Sequence, residues 1–465
     1  MTTGADETTP RPTVAPSARP LARGAAARTA RLASLPLGFA GRATLGLGRR
    51  LTGQSAEDVI SDVQMATAEQ LFSVLGELKG GAMKFGQALS VFEAALPEQL
   101  AAPYRDTLTK LQDSAPPMDA AQVHRVLAAE MGPGWRRKFR SFDENPTAAA
   151  SIGQVHRGVW ADGREVAIKV QYPGAGEALQ SDLRQIQRAA RLFAGLVPNI
   201  DVQALVTELR DRVSEELDYR LEAEAQTAFH AAFVDDPDVM IPEVVDFTER
   251  VLVTTWMDSV GSLSRLIVEG DQDDRDHFGS AYVRFLFSGP RRTGMLHADP
   301  HPGNFRILAD RRLGVVDFGA VARLGEGLPP VVGRLVRHAT DNDWDAVLVG
   351  LREEGFVNEG VDIDVDVVRN YLAPFLEPAT VPTFRFSREW LRAQAERFDS
   401  PRKEAFVTAT RMNLPPHYLL IHRVWSGGIG VLSQLNAEAN FRELLEESLP
   451  GFADDPAEGS TGEPT

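Results

Sequence analysis

Four short motifs with reactive side chains follow one another in a fixed order along the middle of the chain. In chain order they are Val166-Ala167-Ile168-Lys169, Glu216 to Glu222, His297 to Asn304, and Asp317-Phe318-Gly319. Each motif alone has an ordinary explanation, whereas the four in this order are difficult to obtain by chance. They constrain the fold strongly, because their side chains can act together only if the chain brings the four segments to one place.

Lys169 lies on an otherwise apolar run that is predicted to be a strand. A lysine at this position can present its ammonium group to the α- and β-phosphates of a nucleotide. The alternative is a surface lysine on an edge strand, and Lys169 alone does not distinguish the two.

The acidic stretch offers carboxylates that could hold this lysine. Its pattern predicts a long helix from about Ala175 to Phe233. Asp218 and Glu222 are one helical turn apart and would share a face, whereas Glu216 would lie on another. One helix could therefore present carboxylates to two partners, and the alternative is a solvated acidic face.

Asp299 and Asn304 stand in a stiff loop with two prolines and a glycine. Their D-x-x-x-x-N spacing is that of a kinase catalytic loop, in which the aspartate approaches the acceptor group and the asparagine ligates Mg²⁺. Asp317 follows an apolar strand and can hold the Mg²⁺ that bridges the β- and γ-phosphates. His297 and His301 also allow a zinc site, but the chain has no cysteine and no obvious third ligand.

An alanine-rich segment stands where a kinase carries a glycine-rich phosphate loop. It supplies further candidates for nucleotide binding: Ala148, Ala149, Ala150, Ser151 and Gln154. Alanine does not adopt the positive-φ conformations that glycine allows. We therefore expect the phosphates to be held in a different manner here.

Hydrophobic periodicity predicts an α+β fold with segregated strands. The predicted helices cover 55–112 and 120–130, and the predicted strands cover 139–142, 155–160, 165–170, 243–247 and 251–256. Asp162-Gly163 predicts a tight hairpin between two of these strands. A mainly helical region follows Gly261, with one hairpin at 305–308 and 313–318. This order fits a protein-kinase-like two-lobe fold with a small antiparallel N-lobe sheet, a helical C-lobe and an N-terminal helical extension.

These patterns divide the chain into five segments. They are a disordered arm (1–31), a helical extension (32–134), an N-lobe (135–258), a C-lobe (259–450) and a disordered acidic tail (451–465). Residues 32–51 are compatible with a helix packed on the protein and with an amphipathic helix on an anionic membrane surface.

Composition limits the partners and the compartment. A formal net charge of −16 argues against nucleic-acid binding. No apolar run reaches the roughly 18 residues of a spanning helix. The absence of cysteine fits a reducing cytoplasm. We expect a cytoplasmic protein, with peripheral contact at the inner face of the membrane as the alternative for its extension.

Together these motifs resemble those of the UbiB/AarF family, also called ABC1-type atypical kinases. The alanine-rich segment replaces the glycine loop in that family, Lys84-Phe85-Gly86-Gln87 matches its K-x-G-Q motif, and Glu216 and Asp218 match its E-x-D motif. The resemblance covers roughly residues 33–440.

The resemblance implies roles for several of these residues. A helix with Lys84 and Gln87 would cover the active site and meet Glu216 and Asp218 as a gate, while Glu222 would hold Lys169. It also implies a link to isoprenoid-quinone biosynthesis and its proteins, and an ATPase activity that lipid or membrane stimulates.

The predicted activity is that of an Mg²⁺-dependent ATPase with ATP bound between the lobes. Lys169, Glu222 and Asp299 are the catalytic candidates, and Asn304 and Asp317 the metal ligands. Two alternatives stay open, a kinase that acts on a small molecule or lipid, and a non-catalytic nucleotide-sensing scaffold.

Overall fold

The computed structural model describes residues 118–150, 152–174, 176, 217–325, 327–358, 360–398 and 403–453. Four predicted site residues lie outside this part of the chain: Lys84, Gln87, Ser151 and Glu216. The predictions for residues 1–117, including the segment 32–51, lie outside it as well.

An antiparallel sheet dominates the first half of the described chain. The elements are α1 (Ala120–Met131), β1 (Phe139–Phe142), β2 (Ala148–Ala150), β3 (Gly153–Trp160), β4 (Glu165–Gln171), α2 (Tyr219–Phe233), β5 (Val239–Met240), β6 (Val244–Phe247) and β7 (Val251–Thr255). The sheet has the order β1-β3-β4-β7-β6, and β2 pairs with β3. Every one of these pairs is antiparallel, as predicted.

The second half is mainly helical. Its elements are β8 (Ser259–Ser262), α3 (Leu263–Glu269), α4 (Gln272–Thr293), β9 (Met295–His297), β10 (Phe305–Leu308), β11 (Leu313–Val315), β12 (Val321–Arg323), α5 (Pro330–Thr340), α6 (Trp344–Glu353), α7 (Val365–Thr380), β13 (Phe384–Arg385), α8 (Arg388–Glu396), α9 (Glu404–Arg411), α10 (Leu419–Leu435), β14 (Glu438–Ala439) and α11 (Phe441–Ser448). No helix among the described residues is both long enough and apolar enough to cross a bilayer.

Alternating burial in β4 explains how the sheet packs. Val166, Ile168 and Val170 are fully buried on one face of the strand and contact Val123 and Leu127 of α1 in one hydrophobic cluster. Asp119 caps α1 through a reciprocal capping box with Gln122. Helix α1, which lies in the predicted extension 32–134, thus shares its core with the N-lobe sheet.

Helix α2 joins the two lobes. Tyr219 and Ala223 in its first turns pack with Leu252 of the sheet. Phe229 and Phe233 further along belong to the large core that α4 and α10 build. The predicted long helix is interrupted here, since α2 begins at Tyr219 with Asp218 as its N-cap rather than inside the helix.

Two further boundaries differ from the predictions. Strand β5 lies in the predicted N-lobe segment but pairs in parallel with β11 of the C-lobe sheet. Phe452, predicted to be in a disordered tail, is fully buried in the C-lobe core, and its carbonyl accepts a hydrogen bond from Arg337 at 3.2 Å. Both outcomes depend on partners that are distant in sequence.

Candidate functional site

Lys169 of β4 and Glu222 of α2 form the centre of the site. The ammonium Nζ donates to both carboxylate oxygens of Glu222, at 2.8 and 2.9 Å, and lies 3.4 Å from Oδ1 of Asp317. The side chains of Lys169 and Glu222 are only 17% and 5% exposed. Three of the predicted site residues, from three of the four motifs, are therefore in contact.

The charge state of this cluster follows from its surroundings. Burial would lower the pKa of Lys169, but the negative charges of Asp317 and Glu222 outweigh burial and hold that pKa well above its ordinary value. The ammonium also lies 5.0 Å from the centre of the Tyr219 ring, a cation–π distance. Lys169 is therefore a fixed positive charge at neutral pH.

The start of α2 places Glu222. Asp218 accepts a hydrogen bond from the backbone of Arg220 and caps the helix, so Glu222 lies in the first turn. A carboxylate there is stabilised by the positive end of the helix dipole. The Asp218 carboxylate also pairs with the Arg220 guanidinium at 2.8 Å, and Arg220 lowers its pKa. The predicted gating role of Asp218 stays a prediction, because Lys84, its proposed partner, lies outside the described residues.

Asp317 adopts a left-handed backbone conformation, with φ of 65°. Its Oδ1 accepts a hydrogen bond from the backbone of Gly319 at 3.3 Å. A methyl group on Gly319 would lie 3.2 Å from this oxygen and 3.5 Å from Oε2 of Glu222. The glycine therefore permits the close approach of two carboxylates to Lys169.

His297 supports the backbone of Asp317. Its Nε2 donates to the Asp317 carbonyl at 3.0 Å, and its ring packs edge-on against Phe318. Burial lowers the pKa of His297, although Asp299 and Asp317 oppose the shift. The histidine is therefore neutral and positions the backbone of Asp317.

His301 also has a role within its loop. Its Nδ1 accepts a hydrogen bond from the backbone of Gly303 at 3.1 Å. The part of the chain that the structure describes contains no group of three or more potential metal-ligating side chains of the histidine, cysteine, aspartate or glutamate type. Among the residues that the structure describes, the zinc alternative for His297 and His301 therefore has no third ligand.

Backbone contacts tie the catalytic-loop candidates to Asp317. Nδ2 of Asn304 donates to the Asp299 carbonyl at 3.4 Å, and the Asn304 carbonyl accepts from Val316 at 2.9 Å. The β10–β11 hairpin lies between Asn304 and Asp317 and returns the chain to the same end. This is the arrangement that the spacing of the two motifs predicted.

The alanine-rich segment forms the β2–β3 hairpin. Ala148 lies opposite Val155, which in turn lies opposite Lys169, so these side chains share one face of the sheet. Ala150 shares that face by alternation. Ala149 lies opposite Gln154 on the other face and could contact a nucleotide only through its backbone.

Gln154 faces away from Lys169, and its side chain is buried. Its Oε1 accepts from the backbone of Met118 at 2.7 Å, and its Nε2 donates to Nε2 of His156 at 2.8 Å. His156 in turn bonds through Nδ1 to the Asp143 carbonyl at 2.8 Å. The prediction that Gln154 binds the nucleotide is therefore wrong for its side chain, which joins the start of α1 to the sheet.

Sequence reasoning missed the supporting residues of this site. Three contacts were not predicted. They are the hydrogen bond from His297 to the Asp317 carbonyl, the contact of the Tyr219 ring with the Lys169 ammonium, and the close approach of Gly319 to the Asp317 carboxylate. Tyr219 lies three residues before Glu222, a helical spacing that could have indicated a shared face. For His297 the signal was its position next to the Asp299 loop, which we interpreted only as a metal-ligand pattern.

Comparison with known proteins decides the family. Residues 110–349, just over half of the chain, match the model of the ABC1 atypical kinase-like domain. The chain belongs to the ABC1 atypical kinase family. The predicted UbiB/AarF resemblance and the kinase-like two-lobe fold are thereby confirmed.

Two curated relatives illustrate the similarity within the ABC1 family. The chain is 32% identical over 326 residues to the atypical kinase coq-8, mitochondrial, of Caenorhabditis elegans, covering 68% of this chain and 42% of the relative. It is 33% identical over 337 residues to the atypical kinase COQ8B, mitochondrial, of Rattus norvegicus, covering 70% of this chain and 62% of the relative. The chain thus spans about half the length of these relatives.

A solved structure matches most of the chain. It is the complex of Rv3197 with erythromycin from Mycobacterium tuberculosis, which is 42% identical to this chain with a TM-score of 0.67. The match covers 86% of this chain and all of the solved chain.

Proposed function

We propose that this ABC1 family member binds ATP with Mg²⁺ between its lobes and hydrolyses it. The observation that carries the proposal is the contact of the Lys169 ammonium with both Glu222 and Asp317, the latter joined to Asn304 through a hairpin. In kinases a strand lysine paired with a helix glutamate contacts the phosphates of ATP, and phosphoryl transfer depends mainly on such positioning.

The donor set fits Mg²⁺. Asp317 offers a carboxylate and Asn304 an amide oxygen, and Mg²⁺ prefers oxygen ligands. Nδ2 of Asn304 donates to the Asp299 carbonyl, so the amide oxygen points away from that carbonyl. When bound there, Mg²⁺ would neutralise the charge of the β- and γ-phosphates.

Each protein group then has a part in the reaction. Lys169, held by Glu222, would contact the α- and β-phosphates. Asp299 would orient the attacking water or an acceptor hydroxyl. Ala148 and Ala150, on the same face as Lys169, would lie along the phosphates.

The chain after Gly319 favours hydrolysis over protein phosphorylation. Strand β12 begins at Val321 and α5 at Pro330, so little chain remains for a loop that holds a peptide. Gating by Lys84 and Gln87 against Glu216 and Asp218 is part of the proposal and would also restrict access for a protein substrate.

The central test compares Asp317, which follows the β10–β11 hairpin, with Asp310, which lies in the turn of that hairpin. Asp317→Asn should lower ATP hydrolysis at least tenfold, because it removes a charged metal ligand. Asp310→Asn is the matched control, since Asp310 is in the β10–β11 turn and pairs with Arg312 at 2.8 Å. Hydrolysis by Asp317→Asn at the wild-type rate would contradict the assignment.

Two alternatives have distinct outcomes in the same assay. A phosphorylated product found by mass spectrometry with small-molecule or lipid acceptors would indicate a kinase. Tight ATP binding without turnover, with and without anionic liposomes, would indicate a nucleotide-sensing scaffold.

We further propose that the activity supports isoprenoid-quinone or other lipid metabolism at a membrane surface, with quinone-biosynthesis proteins as partners. The similarity to the atypical kinases coq-8 and COQ8B supports this context. Stimulation of ATP hydrolysis by anionic liposomes, and its change in a Lys84→Ala variant, would test the membrane part.

A second candidate is macrolide binding. The solved relative with 42% identity is a complex with erythromycin, and this chain covers the whole of it. Isothermal titration of the protein with erythromycin tests this candidate, and no heat of binding at millimolar ligand would exclude it.

A further inference from the structure

The loop that carries Asp299 rests on a buried tyrosine of the C-lobe. The Tyr282 hydroxyl, on α4, donates to the carbonyl of Pro300 at 2.9 Å, and the side chain is fully buried. Its ring packs edge-on against Phe305, at the other end of the loop. Burial, together with the charge of Asp299, raises the pKa of Tyr282 well above its ordinary value. The hydroxyl therefore remains a donor across the physiological pH range.

Helix α10 approaches the same proline from another side. A methyl group on Gly427 would lie 2.7 Å from Cγ of Pro300, closer than real contacts allow. The pyrrolidine ring cannot rotate away as a flexible side chain would. Gly430, one turn along the same helix, has open space at the equivalent position. The lack of a side chain at Gly427 therefore allows the loop with Pro300 to pack closely against α10.

We propose that Tyr282 and Gly427 are positioning residues, which fix Pro300 from two helices and thereby set the place of the neighbouring Asp299 carboxylate. This inference rests on the proposed function of Asp299. It adds that the C-lobe core, through α4 and α10, determines the geometry of the reacting group.

The proposal follows from how narrowly a catalytic group must be placed. A displacement of about 1 Å can lower a rate by about a hundredfold. Pro300 is adjacent to Asp299 in the chain, so a shift of the ring or of its carbonyl is passed directly to the aspartate backbone. Neither contact involves Lys169, Glu222 or Asp317, so we expect kcat to change much more than the KM for ATP.

The first experiment compares two glycines on one helix, in the full chain. Gly427→Ala should lower the kcat of ATP hydrolysis at least tenfold while the KM for ATP stays within twofold. Gly430→Ala should leave both values within twofold of wild type. Both substitutions introduce the same residue into the same helix, so helix propensity is matched. Equal kcat values for the two variants would overturn the proposal.

The second experiment removes one hydroxyl. Tyr282→Phe keeps the buried ring and loses the bond to Pro300, so kcat should fall at least fivefold with KM unchanged. Tyr418→Phe is the control, because it loses a hydrogen bond of 2.7 Å to Glu354 elsewhere in the lobe. A fall of the same size in both variants would indicate general loosening of the lobe and overturn the proposal.

Hydrogen–deuterium exchange separates this inference from the proposed function. The amides of His301, Gly303 and Asn304 should exchange at least threefold faster in Gly427→Ala and Tyr282→Phe than in the two controls. This readout needs no turnover. Wild-type protein without ATPase activity would defeat the proposed function, whereas unchanged exchange in both variants would defeat the positioning role.

Discussion

Glu222 holds both of its carboxylate oxygens against the ammonium of Lys169, although the two residues are 53 positions apart in the chain. The pair joins the N-lobe sheet to the first turn of α2 and supplies the fixed positive charge of the site. Because both side chains are largely buried, the removal of either partner would leave an uncompensated charge in the interior.

Glu222→Gln should lower both the stability and the proposed activity. The variant leaves the buried lysine with a smaller compensating charge, and breaking a buried pair in this way costs about 3 kcal/mol. We expect urea denaturation to show a loss of that order and ATP hydrolysis to fall at least tenfold. Glu224→Gln is the control, since its side chain is 61% exposed and pairs with Arg323 only at 3.5 Å. Equal stability of the two variants would contradict the interpretation.

Gly319→Ala should reduce turnover with little effect on folding. The added methyl group would lie 3.2 Å from Oδ1 of Asp317, a distance that forces the carboxylate to move. We expect ATP hydrolysis to fall at least fivefold, measured beside Gly261→Ala, where the added methyl group meets open space. Identical rates for both variants would show that the approach of Asp317 to Lys169 is not required.

Gln154→Ala separates a structural role from a nucleotide contact. Truncation leaves the buried amide of Met118 and Nε2 of His156 without their partner, which costs about 1–3 kcal/mol. We therefore expect a lower free energy of unfolding in urea and an ATP dissociation constant within twofold of wild type. A tenfold loss of ATP affinity at full stability would restore the original prediction for Gln154.

The free energy of unfolding should decrease as the pH falls, because His156 becomes protonated more readily in the unfolded state. Burial lowers its pKa in the folded protein below the ordinary 6.5, so the unfolded state binds more protons once the pH drops below about that value. The contribution of this histidine is fully present above that pH and is lost as the pH falls. Between pH 7.5 and 5.5 the loss is at most about 1.4 kcal/mol.

The measurement is the free energy of unfolding in urea at these two pH values. A His156→Gln variant should lose less stability than the wild type over this interval. If both proteins lose the same amount, His156 is not the group that titrates.

The sequence predicted those parts of the site that depend on local pattern. The Asp162-Gly163 hairpin formed as expected, with Gly163 at a φ of 103°. The spacing of Asn304 and Asp317 predicted the return of the chain, because a two-stranded hairpin fits that length. The contact between Lys169 and Glu222, 53 positions apart, was instead predicted from the resemblance to the UbiB/AarF family.

Strand parity explains why the prediction for Gln154 failed. The predicted strand begins at Val155, which leaves Gln154 in a loop over the phosphates. The strand begins at Gly153, and side chains alternate, so Gln154 lies on the face opposite Val155 and Lys169. Because the predicted strand leaves Gln154 out, the alternation that places its side chain on the opposite face was not applied to it.

Other features depend on contacts that no local pattern contains. The hydroxyl of Tyr282 reaches Pro300, and the carbonyl of Phe452 reaches Arg337, which is 115 positions away in the chain. A tyrosine on an amphipathic helix and a phenylalanine before an acidic tail have no sequence signal for these partners. The partners of these two residues are determined only when the C-lobe core packs.

Helix α2 has one end in each hydrophobic core, with Tyr219 against the sheet and Phe229 in the C-lobe. A change in the angle between the N-lobe and the C-lobe would therefore act on the helix that carries Glu222. The angle between the lobes and the contact between Glu222 and Lys169 would then change together. A molecule that changes this angle, wherever on the surface it binds, would alter the surroundings of Lys169 without touching it.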